Sequence, residues 1–282
     1  MVTFPGSVQI SSLGLGTWRL GEERARRPHE VAAVRSALET GWRVIDTAEM
    51  YGEGGAEEVV GAALEGAMRS GSVRREDVFV ASKVYPHNAT ARGAVAACER
   101  SLARLGLDHI DCYLLHWRGS VPLHVTVEAF ETLRSRGKIR HWGVSNFDVD
   151  DMVELVKVPG GERCATNQVY YSLSERGPGF ALVPWLQAHG MVTMAYSPID
   201  QGKLTRNSAL RRLASKRAAT PAQLALAWLV AQPGVMAIPK AASEAHLREN
   251  LAALDMTLSA ADLAELDAAF PPPRRKKPLA MI

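Results

Sequence analysis

Short apolar runs, rich in β-branched residues, alternate with longer stretches of helical spacing from about residue 40 to the end of the chain. Residues 44–45, 78–82, 110–115, 139–144, 165–168, 192–196 and 235–238 read as buried strands. Helices are predicted over 29–40, 56–70, 91–105, 125–136, 149–156, 182–188, 221–230 and 242–254, with one more over 259–270. Gly41, Gly71, Gly106 and Gly137 stand where four of them should stop. Thr220 is the expected N-cap of the helix that opens on Pro221. Upstream, residues 8–16, centred on Ser11 and Ser12, read as a small hairpin leading into a first strand that ends near Thr17. Counting that strand, eight strand–helix units recur at intervals of roughly 25–45 residues, a pattern that closes into a barrel. The expected fold is α/β, a (β/α)8 TIM barrel with an N-terminal β-hairpin and an extra C-terminal helix. Residues 1–282 form one domain in this reading, with about 271–282 a C-terminal tail.

A doubly wound open sheet is the rival architecture. It usually announces a glycine-rich first turn, but Gly14-Leu15-Gly16 is followed by Thr17, Trp18 and Arg19, without a third glycine. Composition narrows the classes further. With 282 residues and 47% hydrophobic content the chain can bury a large core. A formal net charge of +3 is too mild to point to nucleic acid, and the one basic run, residues 274–277, reads as a solvated tail. Three cysteines without a CxxC suggest a reducing compartment, so a cytoplasmic location is expected. The first ten residues lack the basic and apolar regions of a signal peptide, and no apolar stretch is long enough to span a bilayer. No spacing suits a metal site, since His29-Glu30 lacks the second histidine of a zinc helix.

The informative pattern lies at the strand ends. Asp46, Lys83, His116, Asn146, Gln168, Tyr196 and Lys240 each fall at the C-terminal tip of a separate strand. In a barrel these tips converge on one mouth, where active sites lie. Seven polar residues closing seven apolar strands are hard to explain as caps. Tyr51, five residues past Asp46, adds a phenol to the same mouth. The set suits proton donation to a carbonyl. A phenol with a pKa near 10 is a poor acid at neutrality, a neighbouring ammonium lowers that value, and a carboxylate keeps the ammonium charged. Tyr51 is therefore read as general acid, Lys83 as its perturbing cation, Asp46 as the partner of Lys83, and His116 as a hydrogen-bond donor to the carbonyl oxygen. Such proton transfer is worth about 10²–10⁴-fold, and no side chain is an obvious nucleophile, so a hydride-donating cofactor is implied.

The same stretches resemble the aldo-keto reductase superfamily from about Leu13 to Phe270. The motifs are G-T-W at Gly16, V-I-D-T-A-E-M-Y, S-K-V at Ser82, L-L-H-W at Leu114, G-V-S-N-F at Gly143, N-Q-V at Asn167, A-Y-S-P at Ala195 and I-P-K at Ile238. The overall pattern is most similar to a branch of short bacterial members associated with methylglyoxal reduction. The family tetrad is similar to Asp46, Tyr51, Lys83 and His116. The resemblance implies NADPH, with the carboxamide held by Ser145, Asn146 and Gln168 and the ring stacked on Tyr196. It also implies Gly16, Thr17 and Ser197 near the pyrophosphate, Lys240 and Ser243 at the 2′-phosphate, and Glu249 and Asn250 facing the adenine. His246 departs from the arginine many members carry, which predicts a weaker preference for NADPH over NADH. Trp18, Trp117 and Tyr85 follow strand ends and are expected to wall the substrate pocket. Arg118 replaces a common proline, and the segments after Trp117 and Phe270 look short, so a less enclosed pocket for small aldehydes and dicarbonyls is expected. The family-style default is a monomer. Some barrels of this family act instead as cofactor-sensing regulatory subunits, and a Schiff-base enzyme using Lys83 is a further rival, opposed by Asp46, which keeps that lysine protonated.

Overall fold

The computed structural model describes residues 1–241 and 243–282. Eight parallel strands follow one another in chain order: β3 (Leu15–Gly16), β4 (Val44–Asp46), β5 (Phe79–Val84), β6 (Ile110–Leu115), β7 (Ile139–Ser145), β8 (Thr166–Tyr170), β9 (Val192–Tyr196) and β10 (Val235–Ile238). The last meets the first through a bridge from Leu13 to Ala237, with Gly14 N–H donating to the Ala237 carbonyl and Gly16 N–H to that of Pro239, each at 2.9 Å. The barrel is thereby closed. The seam is close-packed at Gly16, where a Cβ would stand 3.2 Å from Ile238 Cγ2 and 3.3 Å from the Ile238 carbonyl oxygen.

Helices α1 (Arg27–Glu39), α2 (Gly55–Arg69), α3 (Ala91–Leu105), α4 (Leu123–Ser135), α5 (Val149–Leu155), α6 (Leu182–Ala188), α7 (Ser208–Lys216), α8 (Pro221–Val230), α9 (Glu244–Leu251) and α10 (Ala260–Ala269) accompany the strands. Their ends obey local chemistry. The Thr90 hydroxyl accepts from Gly93 N–H at the start of α3, and Gly106 closes that helix at φ +64°. Thr220 and Gln223 make a capping box at α8, whose first residue is Pro221. The predicted start of the next helix at Ala242 lies outside the described residues, and Ser243 caps α9 by accepting from His246 N–H. Sequence reading missed α7, where only Leu210, Leu213 and Ala214 are buried and basic residues cover the rest.

The hairpin differs in register from expectation. It pairs β1 (Val2–Phe4) with β2 (Val8–Ile10) across a turn over Pro5–Ser7, rather than turning at Ser11 and Ser12. Proline at the first turn position and Gly6 at φ +76° make the tighter turn. Val2, Phe4 and Ile10 then join Val44, Phe79 and Ala81 in the barrel's inner cluster, with the Phe4 ring 4.9 Å from that of Phe79. The hairpin therefore plugs the base.

One rule of strand geometry places the chemistry at the opposite end. Side chains alternate faces, so residues two apart share one. Phe79 and Ala81, Cys112 and Leu114, and Met236 and Ile238 are inner-core pairs, and the next residues in the same parity are Lys83, His116 and Lys240. Val44 leads likewise to Asp46, and Met194 to Tyr196. On these five strands the inward face is apolar until its final residue.

Candidate active site

At the centre of the mouth Lys83 Nζ donates to both carboxylate oxygens of Asp46 at 2.8 Å, to the Thr47 carbonyl at 2.9 Å and to the Tyr51 hydroxyl at 3.2 Å. The lysine side chain has no exposed surface and that of Asp46 is 4% exposed. Removing two charges from water is costly, and only full hydrogen bonding on both sides makes it tolerable. Gln168 Nε2 supplies a further bond to Asp46 Oδ1 at 2.8 Å. The four side chains predicted to cooperate are brought together, since the His116 ring meets that of Tyr51 edge-on at 5.7 Å.

Burial sets the protonation states. It pulls the Lys83 ammonium down, but Asp46 and Tyr51 more than offset this, so Lys83 sits above its usual range and stays charged. The Tyr51 phenol departs from expectation. Burial raises its pKa, Lys83 lowers it, Asp46 raises it, and the net direction is upward. A lysine already clamped by a carboxylate cannot free enough positive field to outweigh desolvation. Tyr51 therefore holds its proton at neutrality, and the ammonium at 3.2 Å stands ready for the charge that develops as the proton leaves. Burial first, and Lys83 second, push His116 well below its ordinary value, leaving a neutral imidazole with one N–H to give.

The strand tips beyond this centre present an amide cluster. Ser145 Oγ donates to the Gln168 carbonyl at 2.8 Å, and Asn146 Nδ2 donates to the His116 carbonyl at 3.2 Å. Asn146 Oδ1 accepts from the Tyr196 hydroxyl at 3.0 Å. Asn146 takes φ +60°, a left-handed conformation that asparagine tolerates, which turns its side chain across the mouth. Tyr196 is half-buried and lies nearly parallel to Tyr170, centroids 5.8 Å apart.

A cavity of about 720 Å³ runs from Asp46, Tyr51 and His116 past this cluster to Lys240 and His246. Gly16 and Ser197 line it too. The Lys240 ammonium is held below its usual range by desolvation at the cleft wall, with Glu30 pulling the other way. Arg19 also lines the cleft, its guanidinium 4.5 Å over the Trp18 ring.

Other predicted residues stand outside the cavity wall. Thr17 is fully buried and donates to the Asp46 carbonyl at 2.9 Å. The Ser243 hydroxyl caps its own helix, and Glu249 accepts from the Thr220 hydroxyl, tying α9 to α8. Asn250 is buried beside it in α9. Trp18 and Trp117 line the cavity, joined by Met50. Tyr85 does not line the cavity; it lies behind Trp117, edge-on at 6.0 Å.

The mouth is also less open than predicted. The tail reaches back so that Met281 and Ile282 line the cavity, and Lys276 pairs with Asp150 at 2.6 Å. The apolar residues 279–282 beyond the basic run were the available signal. Arg118 is held on α5 by Asp151 and Glu154, each at 2.7 Å. Among the described residues no group of three or more His, Cys, Asp or Glu side chains is placed to hold a metal ion.

Comparison with known proteins agrees with this geometry. Residues 12–270 match the aldo/keto reductase family. Methylglyoxal reductase YeaE of Escherichia coli strain K12 is 50% identical over 287 residues, covering 100% of this chain and 99% of its own. Glyoxal reductase of Bacillus subtilis strain 168 is 35% identical, covering 95% of this chain and 91% of its own. A crystal structure of an aldo/keto reductase from Klebsiella pneumoniae in complex with NADP and acetate superposes with a TM-score of 0.94 at 50% identity, covering 100% and 99% of the two chains.

Proposed function

We infer the function from one premise: the chain belongs to the aldo/keto reductase family. The protein is an oxidoreductase that reduces small aldehydes, ketones or dicarbonyls of the methylglyoxal kind to alcohols, with NADPH as hydride donor and Tyr51 as general acid. The observation that carries this reading is the Tyr51 hydroxyl 3.2 Å from a buried lysine at the floor of a long cleft.

The donor set fits NADPH. Ser145, Asn146 and Gln168 offer donors and acceptors of the kind a carboxamide needs, and Tyr196 offers a partly exposed ring for stacking. Lys240 and His246 stand at the far end, where a phosphate dianion would restore the ammonium that the cleft wall disfavours. When bound, NADPH supplies the hydride that the chain's own side chains lack. His116 donates to the carbonyl oxygen and sets its angle; Tyr51 gives its proton to that oxygen as negative charge gathers there; Lys83 stabilises the phenolate left behind. Trp18, Met50 and Trp117 exclude water from the reacting end. A monomer in a reducing cytoplasm belongs to the same reading, consistent with the burial of Cys98, Cys112 and Cys164.

The test is loss of NADPH absorbance on mixing with methylglyoxal, run beside NADPH binding. Turnover in the wild type supports the reading. Binding without turnover, on methylglyoxal and on a panel of simple aldehydes, would replace it with the cofactor-sensing regulatory subunit.

A further inference from the structure

The segment that carries Tyr51 is unusually bent and unusually well tied. After Glu49 N–H donates to the Lys83 carbonyl, the chain leaves the barrel ladder and arches over residues 50–54. Three consecutive residues past the phenol lie in the left-handed region: Gly52 at φ +58°, Glu53 at +52° and Gly54 at +91°. Glu53 has a side chain and no glycine-like freedom, so its conformation persists only where surroundings over-determine it.

Gly52 lies against the backbone of Leu20–Glu22 and Gly54 against the Arg104 side chain, while one residue, Tyr85, meets both ends of the arch. Glu49, two residues before Tyr51, is 6% exposed. Its Oε1 accepts from Tyr85 N–H at 2.8 Å and from Asn88 Nδ2 at 3.0 Å, while Oε2 faces Arg100 at 3.6 Å. Glu53, two residues after Tyr51, accepts from the Tyr85 hydroxyl at 3.0 Å. Burial and the Glu53 bond push the Tyr85 phenol up to about 12, so it remains a donor. Both feet of the arch therefore rest on Tyr85, two residues past Lys83. The same ring meets Trp117 edge-on at 6.0 Å, and Trp117 in turn packs on His116 at 4.9 Å.

We propose that Glu49 and Tyr85 are positioning residues for the general acid: the Glu49 and Glu53 carboxylates clamp the Tyr51 arch to Tyr85 and hold the phenol in register with Lys83 and His116. The inference rests on Tyr51 being the general acid. It reassigns Tyr85 from a substrate wall to a support, and it gives a use to a buried carboxylate that touches neither substrate nor cofactor site.

Three variants test it, each measured for kcat, KM, NADPH Kd and the pH profile of kcat/KM. Glu49→Ala removes the buried acceptor, and Glu49→Gln keeps an oxygen for the Tyr85 and Asn88 donors. Tyr85→Phe removes only the phenol bond to Glu53, keeping the ring against Trp117. Misplacing a reacting group by an ångström can cost about a hundredfold, so a fall in kcat of about ten- to a hundredfold is expected for Glu49→Ala, with NADPH Kd unchanged. Glu49→Gln should recover most of that loss, and Tyr85→Phe should lower kcat by about threefold or more. Loosening the arch takes Tyr51 out of the buried site beside Asp46 that holds its pKa up, so the alkaline limb of kcat/KM moves to lower pH, towards that of an ordinary phenol, in both Glu49→Ala and Tyr85→Phe. A change confined to KM would return Tyr85 to the substrate wall and overturn the proposal, as would full kcat in Tyr85→Phe together with no rescue by Glu49→Gln. Tyr51→Phe is the control: if it remains active, the general-acid reading fails rather than the clamp.

Discussion

The two ends of the barrel each bury a carboxylate at the edge of a strand, and they treat it differently. At the base, Asp111 accepts from Val80 N–H at 2.9 Å and from Arg75 at 2.7 Å, with Arg140 and His109 within 4 Å. Its cations reach solvent: the Arg75 side chain is 21% exposed and that of Arg140 58%. At the mouth, Asp46 is matched to one lysine with no exposure at all, and that lysine also reaches Tyr51. The base knot joins elements and ends there. The mouth pair faces a cavity and passes its charge on to a group that can exchange a proton. The same chemical unit joins elements when its partners face water and strand ends, and in the mechanism proposed above it serves catalysis when its partner touches a phenol beside open space.

Breaking each knot should separate the two roles. Asp46→Asn leaves the Lys83 charge buried with no counter-charge and should cost about 3–5 kcal/mol of stability, read by denaturant unfolding, with turnover lost as well. Asp111→Asn loses charge-assisted bonds at a partly wetted site. It should cost about 1–3 kcal/mol and leave kcat unaltered, so an equal loss of kcat in both variants would erase the distinction.

The pH profile sharpens the comparison at the mouth. In the proposed mechanism Tyr51 works in its protonated form, and burial with Asp46 outweighs Lys83 and holds its pKa above the ordinary value. Activity limited by this group should stay level from neutrality to about pH 10 and fall only above it. A limb near pH 7 that vanishes with Tyr51→Phe would mean the ammonium dominates after all. The smallest expected effect lies at the far end of the cleft. His246→Arg adds a permanent charge beside Lys240 and should tighten NADPH by about three- to tenfold while leaving NADH nearly unchanged, checked by fluorescence titration with both.

Much of this was legible because a polar residue closing an apolar strand is visible at one position. Asp46, Lys83, His116 and Lys240 could be placed together at the mouth because each closes or follows an apolar strand. The hairpin register was not, since Pro5-Gly6 and Ser11-Ser12 are both turn-capable and only the packing of Phe4 on Phe79 chooses between them. Helix α7 was missed although Leu210, Leu213 and Ala214 stand at helical spacing opposite Arg211, Arg212 and Lys216; its nine residues are too short a run for the period to stand out. The direction of the Tyr51 shift depends on desolvation, which no spacing encodes. Glu49 gave no signal, because its partners Tyr85 and Asn88 stand 36 and 39 residues away in sequence. Met281 and Ile282 were missed since a tail read as solvated has no reason to return to the mouth, and Lys276 on Asp150 supplies one.

The most direct test is a single turnover in which NADPH-loaded protein meets methylglyoxal and the absorbance loss is followed for wild type, Tyr51→Phe and Asp111→Asn. The account predicts a rate at least about a hundredfold lower in Tyr51→Phe, with NADPH binding intact, and a rate within about twofold of wild type in Asp111→Asn. A Tyr51→Phe protein that oxidises NADPH at the wild-type rate would contradict it.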